Sequence, residues 1–161
     1  MSHAEPAADG RSTVHATFVI ERSYAAAPER VFEAWADPEA KTQWFGPPQK
    51  PDGSYELDFR VGGREHLAIE MADGADYSYD ALYQDIVRGQ RILYSYDMHH
   101  GDRRISVSLA AVEIEVGGEG AKLRLTEHGI YLDGHDTSEI REHGTNELID
   151  RFGAFLLRAA G

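Results

Sequence analysis

Residues 144–160 read GTNELIDRFGAFLLRAA, and no other stretch limits the possible folds as much. Leu148, Ile149, Phe152, Phe155 and Leu156 fall on one stripe of a helix at 3.6 residues per turn. Glu147 and Arg151 are spaced for a surface ion pair, and Asp150 and Arg158 continue that solvated side. A helix of this kind must bury its stripe, and nearly all the sequence before it reads as strand. The expectation is a curved sheet that receives the helix.

A chain of 161 residues is normally one domain, large enough to bury about two-thirds of the surface its unfolded form exposes. Residues 1–12 are small, polar and aperiodic, and are expected to be a disordered tail, with a single domain over 13–161. The net charge of -12 argues against nucleic acid or an anionic membrane as a partner. There is no cysteine, which excludes disulfides and thiol chemistry; with no long apolar run or leader pattern, a cytoplasmic location is expected.

Alternation places Val14, Ala16, Phe18 and Ile20 on one face of a first strand. Pro28 opens a short helix bearing Val31, Phe32 and Trp35, and Asp37-Pro38 caps and starts a second that runs to Trp44 and Phe45, before Gly46, Pro47 and Pro48. Residues 54–61 alternate cleanly, with Tyr55, Leu57, Phe59 and Val61 on one side, and Gly62-Gly63 is expected to turn the chain. Leu67, Ile69 and Met71 then share a face with Glu65. After a turn at Asp73-Gly74, Tyr79, Ala81 and Tyr83 alternate, then Ile92, Tyr94, Tyr96 and Met98. In the strand after His99-His100-Gly101-Asp102, the apolar positions Ile105, Val107 and Leu109 slip to Val112, Ile114 and Val116, which suggests a bulge near Ala110-Ala111. A last strand puts Leu123 and Leu125 beside Glu127, and residues 129–143 read as a connecting loop with room for a short helical piece. The order is strand, two short helices, six strands and a long helix: an α+β chain with one antiparallel sheet of about seven strands wrapped around its C-terminal helix.

The segments APERVFEAWADPE followed by WFGPP, LDFRVGGR, LRLTEHG, and YLDGHD followed by REHGTNELIDRFGAFL resemble the SRPBCC superfamily of START-like and birch-pollen-allergen-like helix-grip proteins. Within it they are similar to bacterial proteins akin to the activator of a heat-shock-protein ATPase. The likeness runs over roughly residues 13–157. It implies a helix-grip fold with a deep cavity between sheet and long helix, opening near the short helices. Because that superfamily includes ligand carriers, cyclase-like and hydrolase-like proteins and chaperone regulators, it does not fix the chemistry.

In such a fold Phe59, Leu67, Tyr83, Tyr94, Tyr96, Leu109 and Leu125 are expected on or near the concave face, with Leu148 and Phe152 opposite and Trp44 and Phe45 at the mouth. Apolar walls with a few polar groups suit a small molecule, although the same side chains would equally fill a core. Glu65 and Glu127 are the polar positions that need explaining, since a carboxylate on an apolar face is costly unless paired, hydrated or bound to a ligand. One held neutral and one ionised would make an acid/base pair; the alternative is a pair of strand-end carboxylates in water or beside Arg60, Arg64 or Arg124. The histidines match no metal-ligand spacing, no GxSxG surrounds Ser106 or Ser108, and no phosphate-binding glycine pattern occurs, so neither a metal nor a cofactor is expected. Asp133, His135 and Asp136 read as a solvated loop with capping duty. Gly153, inside the long helix, is expected to mark a close backbone approach.

The leading expectation is binding of a small hydrophobic or amphipathic ligand. An enzyme of cyclase or hydrolase type using Glu65, Glu127 and the tyrosines is the first alternative, and a chaperone-ATPase regulator acting by protein contact the second. A homodimer stays open.

Overall fold

A computed structural model describes residues 9–45, 55–70 and 74–160. The expected Gly46, Pro47 and Pro48 segment, Met71, Asp73 and most of the N-terminal tail lie outside the described residues. Strand β1 (Thr13–Tyr24) is followed by α1 (Pro28–Ala36), α2 (Pro38–Lys41), β2 (Tyr55–Leu57), β3 (Arg64–Glu70), β4 (Asp76–Val87), β5 (Arg91–His100), β6 (Arg103–Gly117), β7 (Gly120–Leu132) and α3 (Ser138–Ala160). The seven strands form one antiparallel sheet in the order β1-β7-β6-β5-β4-β3-β2. This is the α+β helix-grip arrangement: a curved sheet closed around the last helix.

The alternation read from the sequence sets the inner face. Ala16, Phe18 and Ile20 of β1, Tyr79, Ala81 and Tyr83 of β4, Ile92, Tyr94 and Tyr96 of β5, and Leu123 and Leu125 of β7 are all buried. Helix α3 sets Ile149, Phe152, Phe155 and Leu156 against them. Phe152 lies edge-on to Tyr24 at 5.4 Å and to Trp44 at 4.7 Å, with Trp35 beside it at 5.7 Å. Polar ties hold the helix down: Arg22 of β1 donates to Asn146 at 2.9 Å, and Arg30 of α1 donates to the Leu156 carbonyl at 2.8 Å.

Four expectations need correction. Helix α3 starts at Ser138, so the segment read as a loop is divided between the end of β7 and the first turns of α3. Helix α2 stops at Lys41, and Trp44 and Phe45 follow it in a turn. Strand β2 is only three residues long, and Val61 is exposed. The backbone turns inward there: the Gly62 N–H donates to the Tyr83 carbonyl, and a Cβ on Gly63 would collide with the Asp58 carbonyl.

The fourth correction concerns β6. The bulge sits at Ile105, where the register with β5 shifts between Met98 and His99, and not at Ala110-Ala111. Beyond it Ser106, Ser108 and Ala110 point inward while Val107 and Leu109 point out. Leu109, expected on the concave face, is 44 % exposed on the convex one. Apolarity misled the reading because two inward positions of β6, Ser106 and Ser108, are polar, and the reason for the polarity at Ser106 lies on α3.

Gly153 makes no close backbone approach. A Cβ there would meet only the Tyr24 ring, at 3.4 Å, an ordinary van der Waals distance. Gly153→Ala should therefore stabilise the protein by about 0.5–1 kcal/mol through helix propensity. Urea denaturation measures this, and a loss of stability would show that the Tyr24 ring cannot accommodate the methyl group.

Candidate functional site

Two buried polar clusters lie beneath the concave face, each centred on one of the carboxylates flagged by the sequence. Glu65, on β3 opposite Ala81, is 1 % exposed. Lys41, the last residue of α2 and 2 % exposed, brings its Nζ to 2.7 Å from Glu65 Oε2 and 3.0 Å from Oε1. Tyr55 donates to Oε2 at 2.5 Å and Tyr83 to Oε1 at 2.7 Å. The ammonium also stands over aromatic faces, 4.5 Å from the Phe45 ring centroid and 5.3 Å from that of Trp35, where cation–π attraction replaces part of its lost hydration. Burial pulls the Lys41 pKa down, and Glu65 opposes that pull.

Glu127, on β7, is 2 % exposed and accepts from Tyr96 at 2.7 Å. Arg141, in the first turns of α3, donates to the Tyr96 hydroxyl at 2.9 Å, to Ser106 at 2.7 Å and to Asp136 at 2.6 Å, and stands 3.9 Å from Glu127. This explains the inward Ser106 of β6: a guanidinium carries five donors and needs acceptors when it is buried. Burial raises the Glu127 pKa, against the hydrogen bond from Tyr96 and the charge of Arg141. Ser108 adds to that opposition without meeting hydrogen-bond geometry. Thr137 caps α3 by accepting from the Ile140 N–H at 3.1 Å, while Asp136, expected in water, serves Arg141 instead.

Tyrosines link the clusters. Tyr83 and Tyr94 lie 5.9 Å apart, Tyr94 and Tyr96 6.2 Å, and Tyr79 and Tyr96 4.8 Å. Burial pushes the hydroxyls of Tyr79, Tyr94 and Tyr96 well above their usual range, with Glu65 and Glu127 adding to the effect, so they stay neutral, and Tyr96 donates to Glu127.

Above Tyr79 and Tyr96 lies a pocket of about 270 Å³ between the sheet and α3. Phe45, Leu67, Ile69, Met98 and Leu148 form its apolar wall. Its polar groups are Tyr79, Tyr96, Arg141, Thr145 and Arg151. It could hold about nine waters at roughly 30 Å³ each, or one compact organic molecule. A second depression of about 290 Å³ at the far end of the sheet is walled by charged side chains such as Glu21, Arg91 and Arg124, and contains neither carboxylate cluster.

Of the residues expected to contact a ligand, Phe45, Leu67, Tyr96 and Leu148 line this pocket. Trp44 does not lie at a mouth: it is buried against Trp35 and Phe152, with its Nε1 donating to the Ala34 carbonyl at 3.0 Å. Phe152 belongs to that same aromatic cluster rather than to the pocket wall. Phe59 packs edge-on to Phe32 and Tyr83, and Tyr83, Tyr94 and Leu125 are core or cluster residues behind the wall. Glu65 and Glu127 also lie behind it. Lys41 and Arg141 escaped the sequence reading, because basic residues near helix ends ordinarily read as solvated, and Arg151 was read only as the surface partner of Glu147. Among the described residues one metal-ligand-like grouping occurs, Asp80, Asp97 and His99 on the outer face. Its carboxylates are already engaged by His66 and Arg104.

Comparison with known proteins shows the same fold elsewhere. A structure from Rhizobium leguminosarum is 44 % identical over 92 % of this chain and 98 % of its own, with a TM-score of 0.88. One from Rhizobium loti is 40 % identical over 89 % and 99 %, with a TM-score of 0.84. An AHSA1 protein from Silicibacter pomeroyi, 24 % identical over 89 % and 99 %, shares the fold with a TM-score of 0.72. Comparison with curated proteins gives no match. Residues 25–156 match the model of the family described as Activator of Hsp90 ATPase homolog 1-like protein, and the chain belongs to that family, within the SRPBCC superfamily.

Proposed function

We propose that this protein binds a small, largely apolar molecule in the pocket between its sheet and α3. The observation that supports the reading is a wall of apolar side chains, Phe45, Leu67, Ile69, Met98, Ile140 and Leu148, meeting a short row of polar groups, Tyr96, Arg141, Thr145 and Arg151. With a volume of about 270 Å³ the pocket fits a compact ligand rather than a long lipid. Acid/base catalysis by Glu65 or Glu127 forms no part of this reading, because each is committed to a buried cation and a tyrosine behind the wall.

Thermal shift and isothermal titration against small aromatics, short acyl compounds and polyketide-like phenols test it. At least one class should raise the melting temperature in a concentration-dependent way. Leu148→Trp, which fills the pocket from a half-buried helix position, should abolish that shift while leaving the circular dichroism spectrum intact. Binding that survives Leu148→Trp would place the ligand elsewhere.

A further inference from the structure

The cations around the pocket differ in how their charge is met. Lys41 is neutralised by Glu65 at 2.7 Å, and Arg141 by Asp136 at 2.6 Å. Among the described residues Arg151 has no such partner. It projects from α3 into the pocket lining, half-buried, and its Nε donates to the Trp44 carbonyl at 3.2 Å. No carboxylate among the described residues pairs with it. The sequence spacing offers it Glu147, but Glu147 stands 3.6 Å from His143 on the exposed side of the helix. In a chain of net charge -12, acidic partners are plentiful, yet this guanidinium is partly removed from water without one among the described residues. Such a group gains most from a ligand that brings the missing charge.

We propose that Arg151 is the anion-binding group of the pocket and that the ligand is a small organic carboxylic acid: a compact apolar body against Leu67, Ile69, Met98 and Leu148, with its carboxylate on the Arg151 fork. This rests on the pocket being the binding site. A guanidinium presents parallel N–H groups that match a carboxylate's two oxygens. A dianion fits worse, because Asp136 and Glu127 already surround Arg141 on the neighbouring wall.

Titration calorimetry with phenylacetate and hexanoate, each against its neutral amide, near neutral pH and at low ionic strength, tests the assignment. The acids should bind the wild type about tenfold or more tighter than the amides, a difference of about 1.4 kcal/mol. Arg151→Gln should remove that preference, bringing acid and amide to similar affinities, and an unchanged circular dichroism spectrum shows that the variant is folded. Arg151→Lys should keep only part of it. If acid and amide bind the wild type equally and Arg151→Gln changes neither, the anion assignment fails while the pocket reading survives. If neither acid nor amide binds the wild type, the compact-ligand reading of the pocket fails, and the carboxylic-acid assignment with it.

Discussion

Lys41→Met should destabilise the protein by about 3–5 kcal/mol, among the largest effects of any single substitution, although Lys41 touches no ligand space. Methionine matches the length of the lysine stem and suits the cage of Trp35, Trp44 and Phe45. The loss therefore comes from Glu65, left 1 % exposed without its cation. The double variant Lys41→Met/Glu65→Gln tests this cause, because glutamine removes the charge while its carbonyl accepts from one of Tyr55 and Tyr83 and its NH2 donates to the hydroxyl oxygen of the other. It should recover most of the loss, returning to within about 1–2 kcal/mol of wild type. Urea midpoints of the four proteins complete the cycle. A single-variant cost below about 1 kcal/mol would mean that water reaches Glu65. The pair also ties α2 to β3 across the segment that carries Phe45, so its loss should loosen the pocket wall first.

Most of the fold was legible in the sequence, because it rests on periodicities that burial enforces. The parity of Phe18 and Ile20, of Tyr79 and Tyr83, and of Leu123 and Leu125 recurs unchanged in the structure. It misled where a polar requirement outranked apolarity. Ser106 turns inward to accept from Arg141, with Ser108 on the same parity, which leaves Val107 and Leu109 outward and made the strand read inside out. The carboxylates were legible as anomalies, since Glu65 and Glu127 each broke an apolar face. Their partners were not: Lys41 and Arg141 come from helix ends, where the local pattern says solvent and only the tertiary fold says otherwise. Residues 138–143 showed why a helix start is hard to place. The apolar stripe begins at Leu148, whereas the first turns of α3 are held by a Thr137 cap and by the polar anchor Arg141.

That anchor gives the second large effect. Arg141→Met should cost about 3–5 kcal/mol near neutral pH, because it strands Asp136 and Glu127 and frees the start of α3 from Tyr96 and Ser106. The cost should depend on pH with a definite sign. Burial already holds the Glu127 pKa above its ordinary value of 4.5, and Arg141 is one of the groups restraining it. Removing Arg141 lets it climb further. A carboxyl whose folded pKa lies above its unfolded one is bound to its proton more tightly in the native state, so stability is fullest at or below the unfolded value and falls as pH rises toward the folded one. The deficit of Arg141→Met relative to wild type should therefore be smallest near the ordinary carboxylate pKa and widen toward neutrality. Adding Glu127→Gln should flatten most of that slope. Urea midpoints across this range measure it, and parallel curves for the single and double variants would show that Glu127 keeps its ordinary solvation. Because Arg141 and Tyr96 are shared between this network and the pocket wall, the pH at which α3 loosens should also be the pH at which ligand affinity begins to fall in the variant.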